Sequence, residues 1–521
     1  MPPTAPSPRA VAGDRASARI AGLCSFQGRH RTLHLTWFAF FLSFVVWFNF
    51  APFASTIGDQ LDLSTGQLGT LALCNVALTV PARILIGMAL DRYGPRRVFG
   101  AILLYSLVPC LLFATATTFT TLVVSRLATG LVGAGFVVGI RMVSEWFPPR
   151  EVGMAEGVYG GWGNFGSAAA AFSLPLLAGV VGGDSGWRWA TAATGVVAAT
   201  YGLVYLRSVS DTPEGRSYAR PRRQGALEVT GPGAVWGLAA LTVPLTGVLG
   251  LIAWRVWRVD VLPTTGLWVV GISLVALLAL QLQRVIVVNR PALADEYPEG
   301  DRYPFRSVAI LCVAYACTFG SELAVVSMLP LFFADTWGLG PALAGAAASG
   351  FAFMNLVARP AGGLLSDLLG SRRQTLRALL VGLTVGYLAM AALGPSWPVP
   401  VAMAVTMACS FFVQAGEGAT YAIVPLVKRR VGGQISGMVG AYGNVGAVCF
   451  LTVFLFVSPA VFFIVIAAAS VLGSVACAFL PEPDGAFDAE LAAEDPGDEI
   501  VDLSAVAIPA AEERRVAVTS S

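Results

Sequence analysis

The sequence predicts an all-α polytopic membrane protein, two repeated six-helix halves with a two-helix insert between them. Three observations carry that prediction. First, 56% of the 521 residues are hydrophobic and only 12% are charged. A soluble domain averages about 25% charged residues, so a water-facing surface this large could not be covered. Second, about fourteen runs reach the roughly 20 apolar residues that a bilayer-crossing helix needs. Third, one part of the chain recurs in another.

The runs follow in order. Six cover 36–57, 67–90, 98–119, 121–143, 155–181 and 188–206; two lie at 232–253 and 263–288; six more cover 307–333, 342–366, 375–394, 398–427, 433–457 and 460–480. They divide the chain into a tail (1–35), a first half (36–207), a central linker carrying the two extra helices (208–306), a second half (307–480) and an acidic tail (481–521) too polar to bury a core and read as disordered. The run from Trp37 is too long for a cleavable signal and lacks a small-residue cleavage site. Basic residues set the orientation. Arg29, Arg31, Arg92, Arg96, Arg97, Arg207, Arg222, Arg223, Arg306, Arg372 and Arg373 all fall on one side if both termini are cytoplasmic in a multi-pass protein of the cell (inner) membrane. Arg255 and Arg258, between the two inserted helices, fall on the other side.

Composition also removes whole classes of function. A net charge of +2 without a basic patch leaves nothing for a nucleic acid to bind. Seven of the eight cysteines sit in apolar runs without metal spacing, and both histidines, His30 and His34, precede the first run. No metal site and no cofactor is expected. No catalytic constellation and no phosphate loop is present, so the chain reads as a carrier rather than an enzyme.

The repeat is specific. PARILIGMALDRYGPRR around Arg83 returns as VARPAGGLLSDLLGSRR around Arg359, 276 positions on (83 to 359, 91 to 367). GVYGGWGNFG at 157–166 returns as GMVGAYGNVG at 437–446, 280 positions on. Each half therefore carries one arginine inside a membrane helix, which costs about 2.5–3.5 kcal/mol on insertion scales and is kept for a reason. Asn75, Thr79 and Arg83 share one helix face, and Asn355 precedes Arg359 by one turn. Two guanidinium forks facing one midplane site suit a small planar oxyanion, which they bind through paired donors. Asn164 and Asn444 add a buried amide to each half, costly unless bonded. The glycines around them allow close helix packing.

The two six-helix halves and the loop Gly87…Asp91-Arg92-Tyr-Gly94-Pro-Arg96-Arg97 resemble the major facilitator superfamily and its signature between helices two and three. The second copy keeps Asp367 but lacks the arginine after it. More closely, the two Gly-Asn segments, EWFPPREVGMAEG at 145–157 and YACTFGSELAVVSMLPLFF at 315–333 resemble the nitrate/nitrite porter family of that superfamily, over about 36–480 without the insert. The resemblance implies a monomeric secondary transporter of nitrate, nitrite or both, working by alternating access. It also implies a site in which Arg83 and Arg359 bind the anion, Phe44, Phe136, Tyr315 and Phe319 ring it, and Asn164 and Asn444 assist. Gly87, Asp91, Arg92, Gly94, Arg97 and Asp367 would belong to the conformational signature.

That family holds both exchangers and proton symporters. Glu322 shares a helix face with Tyr315 and Phe319. A carboxylate there would offset the arginines' repulsion in an empty carrier and accept a proton on anion entry. The FGSEL segment also resembles the proton-coupled branch, so proton-coupled uptake is expected. A nitrate/nitrite exchanger, or a carrier of another small anion, is the alternative. Arg141 and Glu417 are further charges within the runs, read as a gate or a mutual pair.

Overall fold

The computed structural model describes residue 17 and residues 20–223, 225–258 and 262–488. The expectations for most of 1–19 and for 489–521 lie outside the described residues. In chain order the helices are α1 (Gly28–Phe48), α2 (Ala54–Gln60), α3 (Thr65–Ala77), α4 (Thr79–Tyr93), α5 (Pro95–Tyr105), α6 (Leu107–Ala114), α7 (Phe119–Gly130), α8 (Gly135–Trp146), α9 (Pro149–Val181) and α10 (Gly186–Ser208). The inserted pair is α11 (Pro232–Arg258) and α12 (Thr264–Val288), followed by the short α13 (Arg290–Leu293). Then come α14 (Phe305–Trp337), α15 (Pro341–Phe353), α16 (Asn355–Leu368), α17 (Arg372–Ala391), α18 (Val399–Tyr421), α19 (Gly432–Phe454) and α20 (Pro459–Cys477).

Thirteen helical runs among the described residues are long and apolar enough to cross a membrane. The fourteenth expected run, 342–366, is two shorter helices broken at Met354. The break has a twin: α3 and α4 part at Leu78, 276 positions earlier (78 to 354). Each lies five residues before its arginine, and a proline follows within the next helix. Pro81 and Pro360 lack an N–H and crowd the carbonyl four residues back. The carbonyl left free by Pro360, that of Leu356, accepts the Trp162 indole N–H at 3.2 Å.

Two helix pairs knit the repeats together: α4 against α19, and α9 against α16. Glycine makes both approaches possible. A Cβ on Gly437 would sit 2.5 Å from the Arg83 carbonyl, and one on Gly157 would sit 2.5 Å from the Arg359 carbonyl. The arginine-rich end of the bundle is held shut by charge. Arg141 pairs with Glu145 at 3.0 Å and donates to the Arg429 carbonyl, while Arg429 pairs with Glu145 at 2.7 Å. Arg430 reaches into the linker to Glu228 (2.9 Å) and Asp301 (3.3 Å). Arg141 and Glu417 are therefore not mutual partners: Arg141 belongs to this closed end, and Glu417 does not.

The inserted α11 packs on α19, α14 and α3, and the Tyr442 hydroxyl donates to the Leu241 carbonyl at 2.8 Å. Outside it, α12 packs on α11 and turns Trp268, Ile272 and Val275 outward, the surface of a helix facing lipid. Order extends past residue 481, where the sequence predicts disorder. Glu482 accepts the Arg372 backbone N–H at 2.6 Å, the Ala486 carbonyl accepts the Arg372 guanidinium at 3.0 Å, and the Asp488 carbonyl accepts the Arg150 N–H at 3.2 Å. Composition undervalues this stretch because its partners stand over 100 positions away.

Candidate functional site

Arg83 and Arg359 are both buried, at 0% and 2% exposure. They come from different halves yet lie over the same two rings. The Arg83 guanidinium carbon is 5.4 Å from the centroid of Phe136 and 5.1 Å from that of Phe319; for Arg359 the distances are 5.6 and 6.0 Å. Face-on rings attract the cations and exclude water, which strengthens any electrostatic contact made between them.

Each arginine is steadied by the Gly-Asn helix of the opposite half. Arg83 Nη1 donates to the Gly440 carbonyl of α19, and Arg359 Nη1 donates to the Gly160 carbonyl of α9 at 3.2 Å. Asn444 and Asn164 follow those glycines by one turn, so both amides face the same layer. Asn444 Nδ2 and Oδ1, Asn164 Oδ1, and Arg83 Nε and Nη2 find no partner among the described residues. A buried donor left unpaired costs about 1–3 kcal/mol. Three N–H-bearing atoms in one layer make a natural cradle for an oxyanion.

Tyr315 and Phe319 stack in parallel, with centroids 5.1 Å apart, and Tyr315 stacks on Phe136 at 6.2 Å. Gly443 permits this, since a Cβ there would lie 2.7 Å from ring carbons of both residues on α14. Phe44 stands one layer out, packed on Phe40 at 4.5 Å and on Trp47 at 5.1 Å. The residue the sequence reading did not name is Tyr421, edge-on to Phe136 at 4.8 Å and to Tyr315 at 4.9 Å. Its signal was available: it follows Glu417 by one turn of α18.

The two carboxylates near the arginines have different partners. Glu417, fully buried, forms the ion pair with Arg359 Nη2, which also contacts the Tyr315 hydroxyl at 3.3 Å. Glu322 touches amides instead. Its Oε1 accepts from Asn355 Nδ2 at 2.5 Å and from Gln414 Nε2 at 3.2 Å. Sequence spacing could not pair Glu417 with an arginine 58 positions away on another helix.

The signature residues sit at the closed end. Asp91 accepts the backbone N–H groups of Gly433 (2.8 Å) and Gln434 (2.9 Å) at the start of α19, a favourable position for a carboxylate. Asp367 accepts those of Gly153 (3.0 Å) and Met154 (2.8 Å) on α9, 280 positions from the first pair (153 to 433). It also pairs with Arg372 at 2.8 Å, the residue 276 positions after Arg96 (96 to 372). Gly87 lets α4 meet α19, since a Cβ would lie 2.5 Å from the Gly433 carbonyl. Gly94 takes φ 84° and faces the Asp211 carboxylate, whose Oδ1 accepts the Arg96 N–H at 2.7 Å. Burial raises the Asp211 carboxyl above its ordinary range, and Arg96 and Arg97 pull it back. Arg92 and Arg97 are exposed, Arg92 lying over Tyr93. Another buried arginine, Arg126 on α7, was also missed, although it lies inside the fourth apolar run.

Residues 36–297 and 311–514 match the Major Facilitator Superfamily. The chain is 50% identical over 511 residues to the nitrate/nitrite transporter NrtP of Picosynechococcus, covering 90% of this chain and 96% of that one. It is 48% identical over 474 residues to NrtP of Nostoc punctiforme, covering 89% and 95%. It is 30% identical over 423 residues to nitrate transporter 2.1 of Chlamydomonas reinhardtii, covering 80% and 66%. Among solved structures, the human organic anion transporter MFSD10 aligns with a TM-score of 0.59 at 13% identity over 87% of this chain and 100% of that one, a likeness of fold alone. Relatives at half identity along almost the full length leave one assignment: the chain belongs to the major facilitator superfamily and, within it, to the nitrate/nitrite porter family.

Proposed function

We propose that this protein carries nitrate, nitrite or both across the cell membrane by alternating access, taking up one proton with each anion. The observation that carries the anion reading is the pair of buried guanidiniums, one from each half, over Phe136 and Phe319, with Arg83 Nε and Nη2 free to donate. A planar oxyanion between them would accept from both halves at once, and so would bias the halves' relative position. The relatives' names as nitrate/nitrite transporters support the same substrate. The basic end is the cytoplasmic one by the positive-inside rule, and the start of α1 and the stretch up to residue 488 pack there, through Arg29–Glu151 at 2.7 Å and Arg150 N–H to the Asp488 carbonyl at 3.2 Å.

Charge balance favours symport over exchange. Arg83 and Arg359 contribute two positive charges, Glu322 and Glu417 two negative ones, so the empty site is neutral and can reorient empty. An entering monovalent anion competes with Glu417 for Arg359 and leaves the site one charge negative. A proton on the displaced Glu417 restores neutrality, while Glu322, held by Asn355 and Gln414, balances the second arginine.

Labelled nitrate uptake into proteoliposomes, with internal pH followed by a dye, tests both statements. Saturable uptake, competed by nitrite and not by organic acids, with internal acidification, is expected. Uptake no greater than in empty liposomes would refute nitrate transport. Nitrate movement only against counter-nitrite, without acidification, would refute symport and leave exchange.

A further inference from the structure

A cavity of about 470 Å³ lies at the end of the bundle away from Asp91. It stacks directly on the candidate site along three helical segments. Asn75 in its wall is two turns from Arg83, Leu323 is one turn beyond Phe319, and Val448 is one turn beyond Asn444. The wall is mostly apolar, and its charged members among the described residues are two arginines, Arg126 and Arg255, with no carboxylate.

Arg126 is a fixed charge. It donates to Asn49 Oδ1 (2.9 Å) and the Trp47 carbonyl (2.7 Å), lies over Phe50 and Phe113, and keeps Nε unpartnered. Arg255 comes from the inserted α11 and is half-buried, and no carboxylate pairs with it among the described residues. It also stands on the side of the membrane where basic residues are scarce by the positive-inside rule, so something other than topology keeps it there. The packing of α11 on α3, α14 and α19 is what brings it to the cavity.

We propose that this cavity is an outer vestibule for the transported anion, in which Arg255 of the insert and Arg126 gather a small, weakly hydrated oxyanion before it reaches Arg83 and Arg359. Apolar walls focus the field of these two positive charges and raise the local anion concentration. The insert then has a role in substrate capture rather than only in packing. The proposal rests on the transport reading and orientation above.

The test uses the full chain in right-side-out vesicles, with abundance measured by immunoblot. Initial rates of labelled nitrate uptake are compared for wild type, Arg255→Gln, Arg255→Lys and Arg258→Gln, the last an exposed neighbour outside the cavity wall. In about 0.01 M salt, where the Debye length is about 30 Å, Arg255→Gln should raise KM about three- to tenfold with the maximal rate held within about twofold. With gluconate salt near 1 M, where that length is about 3 Å, the difference should vanish. Lysine should restore the wild-type KM, and Arg258→Gln should leave it unchanged.

An unchanged KM for Arg255→Gln at low salt would overturn the vestibule. So would an effect that persists at high salt or follows acyl-chain length, which would assign the cavity to a lipid chain. Absent uptake by wild type would instead count against the transport reading itself.

Discussion

Glu417→Gln probes how the empty site is balanced. In the wild type four buried side chains sum to zero charge, and Glu417 alone among the carboxylates touches Arg359. Glutamine preserves the shape and one hydrogen-bond acceptor but leaves the site one charge positive. Breaking a buried pair by removing one partner costs about 3–5 kcal/mol, and the retained acceptor puts this substitution near the lower end, about 3 kcal/mol. An anion bound against the freed guanidinium would recover much of that. At 1.4 kcal/mol per tenfold, recovery of about 1.5–3 kcal/mol tightens nitrate binding by roughly 10- to 150-fold. The variant should therefore melt lower than wild type without nitrate and gain more from it.

The sharper readout is the proton. Calorimetric titration with nitrate in two buffers of different ionisation enthalpy counts protons taken up on binding. About one proton per anion is expected for wild type and about none for Glu417→Gln under the neutrality rule. Glu322→Gln also leaves the empty site one charge positive, so the same rule gives about no proton per anion for it, with the Arg359–Glu417 pair kept in place. A Glu417→Gln variant that still takes up one proton per nitrate, or binds nitrate more weakly than wild type, would refute the assignment.

Two further outcomes follow from the same geometry. Arg83→Lys keeps the charge but loses the forked donors Nε and Nη2; losing one charge-assisted hydrogen bond of about 1.5–3 kcal/mol should raise KM for nitrate roughly 10- to 150-fold, and a KM within twofold of wild type would rule out bidentate binding. Gly443→Ala places a Cβ 2.7 Å from Tyr315 and Phe319 ring carbons, so the stack must shift; a loss of about 1–3 kcal/mol in thermal unfolding, together with a raised KM, is expected, and an unchanged melting temperature would show that the rings are not tightly held.

Much of the fold was legible because it is written twice. The recurrence of Arg83 and Asp91 as Arg359 and Asp367 identified the halves, and apolar length alone found most of the helices. The breaks at Leu78 and Met354 were harder to see, because a run of apolar residues reads the same whether its helix is continuous or broken. The site was legible in part. Arg83, Arg359, Phe136, Tyr315 and Phe319 meet, while Phe44 packs one layer away and Tyr421 takes a place beside the rings.

What the sequence determined by itself was chemistry and periodicity: apolar runs, basic loops, a duplicated arginine and a duplicated Gly-Asn helix. These are properties of residues within one or two turns of each other, where spacing dictates which face they share. What only the tertiary structure decided was partnership across helices. Glu417 finds Arg359, each arginine rests on the opposite half's glycine carbonyl, and Arg255 of the insert turns toward the cleft. Those pairings join residues 58 to 357 positions apart. They depend on how closely glycine lets helices approach and at what rotation, which no local pattern along a single helix records.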